Sequence, residues 1–121
     1  MIKVRLLFSF CRQTTNIQKS LARIIPRTVA RVTGGYSKFN GLKAYNKDLK
    51  TLLAIGGWNE GSNRFSKLVA DPDMRHNMVK SAISYLRQHK FDGLDLDWEY
   101  PASRDGSKPA DRRNYALLVK V

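Results

Sequence analysis

The most informative stretch of the sequence is Phe91-Asp-Gly-Leu-Asp-Leu-Asp-Trp-Glu-Tyr-Pro101, in which apolar and acidic residues alternate. Side chains of a β-strand point alternately to its two faces. One face would therefore carry Asp95, Asp97 and Glu99. The other would carry Leu94, Leu96 and Trp98, and we expect it to pack against helices. The pattern predicts a strand over residues 91–99 with a row of carboxylates along one side.

Such a row of carboxylates favours acid–base chemistry. Successive members would lie about 7 Å apart along the strand, and in a partly dry site at least one pKa is expected to rise. A raised pKa lets a general acid keep its proton near neutral pH. Glu99 is nearest the carboxyl end of the predicted strand, where parallel α/β barrels place their active sites, and is our candidate acid.

Two other interpretations of the acidic row are less consistent with its sequence. Calcium loops need polar, turn-forming spacers and a glycine, whereas the spacers here are Leu96 and Trp98, so we predict neither a metal site nor a cofactor. A solvent-exposed acidic strand edge would not account for the apolar opposite face or for the turn at Tyr100-Pro101. Asp92 falls on the apolar side, which predicts a turn or capping role.

The flanking segments predict strands that alternate with helices. Leu49–Ile55 is a compact apolar run that stops at Gly56-Gly57, as expected of a buried strand entering a turn. Asp71-Pro72 predicts the start of a helix that ends at His89, and a last helix is expected from Asp111. Strand, helix, strand, helix is a βαβα unit with parallel strands.

The first 33 residues differ from the rest in charge. The chain has 121 residues and a net charge of +12, yet all ten acidic residues lie at or beyond Asp48. The acid-free, Arg-rich start resembles a mitochondrial transit peptide, but we favour a non-native leader as its origin. A single cysteine, Cys11, cannot form an internal disulfide, and no run is long enough to span a membrane. We expect no membrane association and no barrel strand in residues 1–33.

Residues 91–101 resemble the catalytic signature of family 18 glycoside hydrolases, the chitinases, whose pattern is Asp-x-x-Asp-x-Asp-x-Glu. Asp92, Asp95, Asp97 and Glu99 fill its positions. Residues 49–59, Leu-Lys-Thr-Leu-Leu-Ala-Ile-Gly-Gly-Trp-Asn, resemble the third barrel strand of the family and its Gly-Gly-Trp turn. Residues 109–119 resemble the helix after the fourth strand, and the similarity is greatest to animal, especially arthropod, chitinases.

The resemblance implies a mechanism. Glu99 would protonate the glycosidic oxygen, and the substrate's acetamido group, rather than a protein group, would attack the anomeric carbon. Asp97 would orient that acetamido group, and Asp95 would share a proton with Asp97 in a coupled pair. The sugar contacts implied by the resemblance are Gly56, Gly57, Trp58, Asn59 and Tyr100. For Trp58 a core position is an equal alternative, whereas Trp98 is expected to pack in the core.

The implied fold is a partial (β/α)8 TIM barrel with roughly strands 3 and 4 and their helices in residues 34–121, and with residues 1–33 as a basic leader outside the catalytic fold. A whole barrel takes about 250 residues, so we expect an incomplete and inactive fragment of a secreted chitinase, although the chain shows no convincing signal peptide.

The expected partner is chitin or a chito-oligosaccharide. A chitin-binding lectin of the same fold is the alternative, but such relatives usually lose the catalytic glutamate, and Glu99 is intact. A nucleic-acid-binding role for residues 1–33 lacks interleaved aromatic residues, and we expect none.

Overall fold

The computed structural model describes residues 34–120 and, for Lys3–Leu6, the backbone. Its sheet has three parallel strands in the order β1-β2-β3, with β1 at Lys3–Leu6, β2 at Lys50–Gly56 and β3 at Gly93–Asp97. The register pairs Leu52 with Gly93 and Gly56 with Asp97, so β2 and β3 end at the same edge. The parallel arrangement of β2 and β3 confirms the predicted βαβα order.

Four helices lie in residues 34–120, and the two that the sequence predicted, one from Asp71-Pro72 to His89 and one from Asp111, start where they were expected. They are α1 at Gly35–Gly41, α2 at Asn63–Ala70, α3 at Pro72–His89 and α4 at Asp111–Leu118, with 3₁₀ turns at Leu42–Ala44 and Trp58–Glu60. Asp71 caps α3 as expected, because its Oδ1 accepts hydrogen bonds from the backbone N–H groups of Asp73 (2.8 Å) and Met74 (3.1 Å). None of the described helices is long and apolar enough to cross a bilayer.

Among residues 34–120, apolar side chains between the sheet and the helices form two clusters. The larger contains Ile55, Phe65, Val69, Met78, Ala82, Trp98 and Leu118, and the smaller contains Tyr36, Leu53 and Phe91. Leu94 packs against both, and Leu96 packs against the larger one. The predicted apolar face of β3 therefore lies on the helix side of the sheet, which leaves its acidic residues toward the opposite face.

Strand β1 was not expected from the sequence. Lys3–Leu6 pairs in parallel with β2, with Leu6 opposite Leu53, so the prediction of no strand in residues 1–33 differs from the structure at this segment. The reason is that a four-residue strand has too short a pattern to recognise, and the pairing that defines it is with residues 47 positions away. The rest of the predicted leader lies outside the described residues, and the division of the chain at Gly34 stays a prediction.

Candidate active site

The carboxyl ends of β2 and β3 meet in a close backbone contact. The Gly57 N–H donates to the Asp97 carbonyl oxygen at 2.7 Å, which extends the strand pairing by one residue. Gly56 has a φ of 108° and Gly57 a φ of 91°, a region that L side chains rarely adopt. A Cβ on Gly57 would also lie 3.6 Å from the Asp97 carboxylate oxygen Oδ2. The Gly-Gly turn thus lies directly against the second carboxylate of the acidic row.

The three carboxylates of the acidic row lie in the last part of β3 or just after it. Asp95 and Asp97 are half-buried residues of β3. Glu99 is also half-buried but lies two residues beyond Asp97, although the sequence predicted that the strand would continue to Glu99. The strand ends earlier because β2 ends at Gly56, opposite Asp97, and after the Gly57 hydrogen bond the chain enters the 3₁₀ turn at Trp58.

The predicted sugar contacts include two exposed aromatic side chains. Trp58 begins the 3₁₀ turn after Gly57 and is 61% exposed, so the alternative of a core position for this residue is wrong. Tyr100 is 54% exposed and directly follows Glu99, to which it is joined by a cis peptide bond. Asn59 is also exposed. Exposed indole and phenol rings beside carboxylates can stack on, and hydrogen-bond to, a sugar ring.

Trp98 has the packing role predicted from its parity in the strand. It is 5% exposed and stacks on Phe65 with ring centroids 5.2 Å apart and an interplanar angle of 11°. Its Nε1–H donates to Ser62 Oγ at 2.8 Å, which satisfies the buried indole N–H. Tyr115 packs against the same indole in an edge-to-face arrangement, with ring centroids 5.8 Å apart. The two tryptophans of the chain therefore lie in opposite environments.

Asp92, the first aspartate of the signature, lies at the opposite end of β3. Its Oδ2 accepts from the Thr51 backbone N–H at 2.8 Å, from Thr51 Oγ1 at 3.1 Å and from Lys43 Nζ at 2.9 Å. Burial opposes ionisation of the carboxyl, but these hydrogen bonds and the Lys43 charge outweigh it and lower the pKa of Asp92 below its usual value. Asp92 thus fastens the start of β3 to β2, a structural role that fits its predicted capping function.

Glu60, at the end of the Trp58 turn, was missed by sequence reasoning. Its side chain is 3% exposed, in an otherwise mostly apolar recess lined by Ile55, Phe65 and Leu68. Burial raises the pKa of Glu60 to about 7, partly offset by Arg64, whose Nη1 lies 3.5 Å from Glu60 Oε1. A lone glutamate in a polar turn gives no sequence signal of burial, because the recess is built from β2, α2 and α3.

Arg104 was also missed, although it links the two loops that leave the sheet at this edge. Its Nη1 donates to the backbone carbonyl of Trp58 and, at 3.2 Å, to that of Glu99. The guanidinium carbon lies 3.9 Å from the centroid of the Trp58 ring, a cation–π contact. A basic residue in a Ser/Gly/Pro-containing loop could have suggested a contact, but nothing in the sequence identifies its partners.

The chain matches the family model described as Glycosyl hydrolases family 18 over residues 5–121. The chain belongs to glycosyl hydrolase family 18. It is 58% identical over 87 residues to a protein of Drosophila melanogaster described as probable chitinase 2, a match that covers 72% of this chain and 18% of that protein. The resemblance inferred from residues 49–59 and 91–101 is confirmed.

Solved family 18 structures show the same arrangement of the chain. The Group IV chitinase of Ostrinia furnacalis in complex with allosamidin superposes with a TM-score of 0.74 at 36% identity, over 81% of this chain and 26% of that one. Catalytic domain 2 of the Group II chitinase of the same species, as a mutant in complex with penta-N-acetylchitooctaose, gives 0.64 at 37% identity, over 70% of this chain and 23% of that one. The chain thus spans about a quarter or less of the length of these relatives. The family to which it belongs has a TIM-barrel fold.

Proposed function

We propose that the protein carries the acidic strand of a chitinase that hydrolyses β-1,4-linked N-acetylglucosamine polymers. The observation that carries the proposal is the pairing of Gly56 with Asp97, because it brings the Gly-Gly-Trp turn and the carboxylate row to one edge of a parallel sheet. Active sites of parallel α/β barrels lie at this edge. We infer that β2 and β3 are the third and fourth barrel strands, with β1 in the preceding position.

In this proposal Glu99 is the general acid that protonates the glycosidic oxygen. The acetamido oxygen of the substrate attacks the anomeric carbon, which retains the configuration after hydrolysis of the oxazolinium intermediate. Asp97 orients the acetamido N–H and stabilises the positive charge, and Asp95 tunes Asp97 by sharing a proton with it. Both aspartates belong to β3, which gives them the fixed backbone that such a coupled pair needs.

The proposed sugar contacts are the residues that follow β2 and the tyrosine that follows the acid. Trp58 and Tyr100 present exposed rings suited to stacking and hydrogen bonding. Gly56 allows the backbone to approach Asp97 closely, which a larger residue would prevent, and Gly57 has a φ of 91° that L side chains rarely adopt. Asn59 offers an exposed amide at the same turn.

We also propose that residues 1–121 have little or no chitinase activity on their own and that the active protein is secreted. A full barrel takes about 250 residues, and the Drosophila relative is matched over 18% of its length. The alternative is a chitin-binding lectin of the same fold. It is disfavoured because such relatives usually lose the catalytic glutamate, whereas Glu99 is intact.

The decisive experiment is Glu99→Gln in the protein that the full-length transcript encodes. Glutamine keeps the size of the side chain but cannot donate a carboxylic proton, so hydrolysis of a chitin oligosaccharide should fall at least about a hundredfold, with binding retained. Asp48→Asn is the matched control: it changes an exposed acid just before the start of β2, at the opposite end of that strand from the Gly-Gly turn, and should leave turnover unchanged. Unchanged turnover in Glu99→Gln would exclude Glu99 as the acid.

A further inference from the structure

Arg104 contacts both loops that leave the carboxyl edge of the sheet. One nitrogen, Nη1, donates to the backbone carbonyls of Trp58 and Glu99, each of which lies two positions beyond the last residue of its strand. The guanidinium plane also covers the Trp58 indole, with the central carbon 3.9 Å from the ring centroid. A single side chain therefore contacts both the exposed indole and the backbone of the proposed acid.

The loop that carries Arg104 is itself held at several points. Ser107 is hydrogen-bonded to the backbone of Arg104. The Arg104 N–H donates to Ser107 Oγ at 3.0 Å, and the Ser107 N–H donates to the Arg104 carbonyl oxygen at 2.9 Å. Gly106 has a φ of 81° and lies against Asn63, the first residue of α2, so closely that a Cβ would come within 2.6 Å of Asn63 Oδ1. The guanidinium thus extends from a loop with defined backbone geometry.

Asp111 fastens the far end of the same loop. It is 1% exposed, and its carboxylate accepts from the Lys108 N–H at 2.7 Å and from Ser66 Oγ at 3.1 Å. Because Ser66 is a buried residue of α2, the loop is tied to the helix that follows the Trp58 turn. These contacts preorganise the loop, so that little side-chain and backbone freedom remains to be lost on binding.

We propose that Arg104 is a positioning residue of the proposed glycosidase site, which holds the Trp58 indole and the Glu99 backbone at a fixed separation. The inference rests on the proposed function, because it takes Trp58 as a sugar-stacking ring and Glu99 as the acid. Arginine suits the role better than lysine, since its planar guanidinium stacks on an indole while its N–H groups bind carbonyl oxygens. A chito-oligosaccharide that contacts both Trp58 and Glu99 would then bind to a preformed arrangement.

The test uses the protein encoded by the full-length transcript, in a Glu99→Gln background for binding. Isothermal titration with a penta-N-acetylglucosamine oligosaccharide is carried out for Arg104→Ala, Trp58→Ala and the double variant. Arg104→Ala should weaken binding about tenfold, and the double variant should bind within about twofold of Trp58→Ala, because Arg104 acts through the indole. Arg112→Ala, which removes an exposed arginine of α4, is the control and should bind like the parent.

Two further variants and a spectroscopic measurement separate positioning from simple loss of structure. With Glu99 intact, Arg104→Lys should keep the fold by circular dichroism, yet raise KM and lower kcat relative to the parent. In protein labelled with 5-fluorotryptophan, the Trp58 resonance, assigned by its loss in Trp58→Phe, should shift and narrow in Arg104→Ala and in Arg104→Lys, because the indole is freed.

The outcomes distinguish the two proposals. An unchanged Trp58 resonance in both Arg104 variants, or losses of affinity that multiply in the double variant, would overturn the positioning role. If the parent neither binds nor hydrolyses chito-oligosaccharides but the Trp58 resonance still responds to Arg104, the proposed function fails and the positioning of the indole by Arg104 stands.

Discussion

Gly56 lies so close to Asp97 that a side chain has no room between them. A Cβ on Gly56 would come within 2.4 Å of the Asp97 carbonyl oxygen and 2.9 Å of its carbonyl carbon. The two residues are paired in register, and the next residue, Gly57, donates its N–H to the same carbonyl oxygen. This contact aligns the end of β2 with the acidic strand, and with it the turn that carries Trp58.

We expect Gly56→Ala to lower the free energy of unfolding by about 2–4 kcal/mol, because the methyl group meets backbone atoms and φ is 108°. Gly41→Ala is the matched control: it adds the same methyl group in open space at the end of α1, where alanine is a better helix former and should stabilise by up to about 1 kcal/mol. Urea unfolding measures both. Equal free energies for Gly56→Ala and the parent protein would contradict the contact.

Variants of the two tryptophans should have different effects, one on stability and the other on oligosaccharide binding. Trp98→Ala removes a 5% exposed ring and leaves the Ser62 hydroxyl without its partner, so it should cost about 3–5 kcal/mol of unfolding free energy. Trp58→Ala removes a 61% exposed ring and should cost less than about 1 kcal/mol, while it weakens oligosaccharide binding. Thermal unfolding and calorimetric titration distinguish the two effects, and a large loss of stability in Trp58→Ala would argue against a binding role.

Asp92→Asn should destabilise the protein in a pH-dependent way. The pKa of Asp92 is lower in the folded protein than its usual value of 3.8, so its stabilisation is present above about pH 4 and is lost as the pH falls through the folded pKa. Asparagine is neutral, so the charge-assisted hydrogen bonds with Thr51 and Lys43 are lost. We expect the free energy of unfolding to fall by about 1–2 kcal/mol at pH 7, and by less below pH 4. Melting temperatures measured from pH 2.5 to 7 test this, with Asp48→Asn as the exposed-acid control.

Glu60→Gln should have the opposite pH dependence. Folded Glu60 keeps its proton up to about pH 7, whereas its ordinary pKa is 4.5, so its ionisation opposes folding as the pH rises between these values. Removal of the ionisable group should stabilise the protein above pH 7, by at most on the order of 3 kcal/mol, and should change little below pH 4.5. Urea unfolding at pH 4.5, 6 and 8 measures the difference. A stability gain of the same size at all three values would show that Glu60 does not titrate in this range.

Much of the local structure could be predicted because its causes are local. The apolar run at Leu49–Ile55 and the cap at Asp71 predicted β2 and the start of α3, and the structure confirms both. Strict alternation also identified Trp98 as a core residue, since the parity of a strand assigns each side chain to one face.

Local patterns in the chain were enough to predict the family, the order of elements from β2 onward and the face of β3 that carries the carboxylates. Alternation, capping and the signature motif all depend on neighbouring residues. Three features became evident from the folded chain: β1 joins the sheet, Glu60 is buried, and Arg104 connects Trp58 to Glu99. These relationships join residues of different strands, loops and helices. Register and loop packing bring them together, and neither leaves a periodic pattern in the chain.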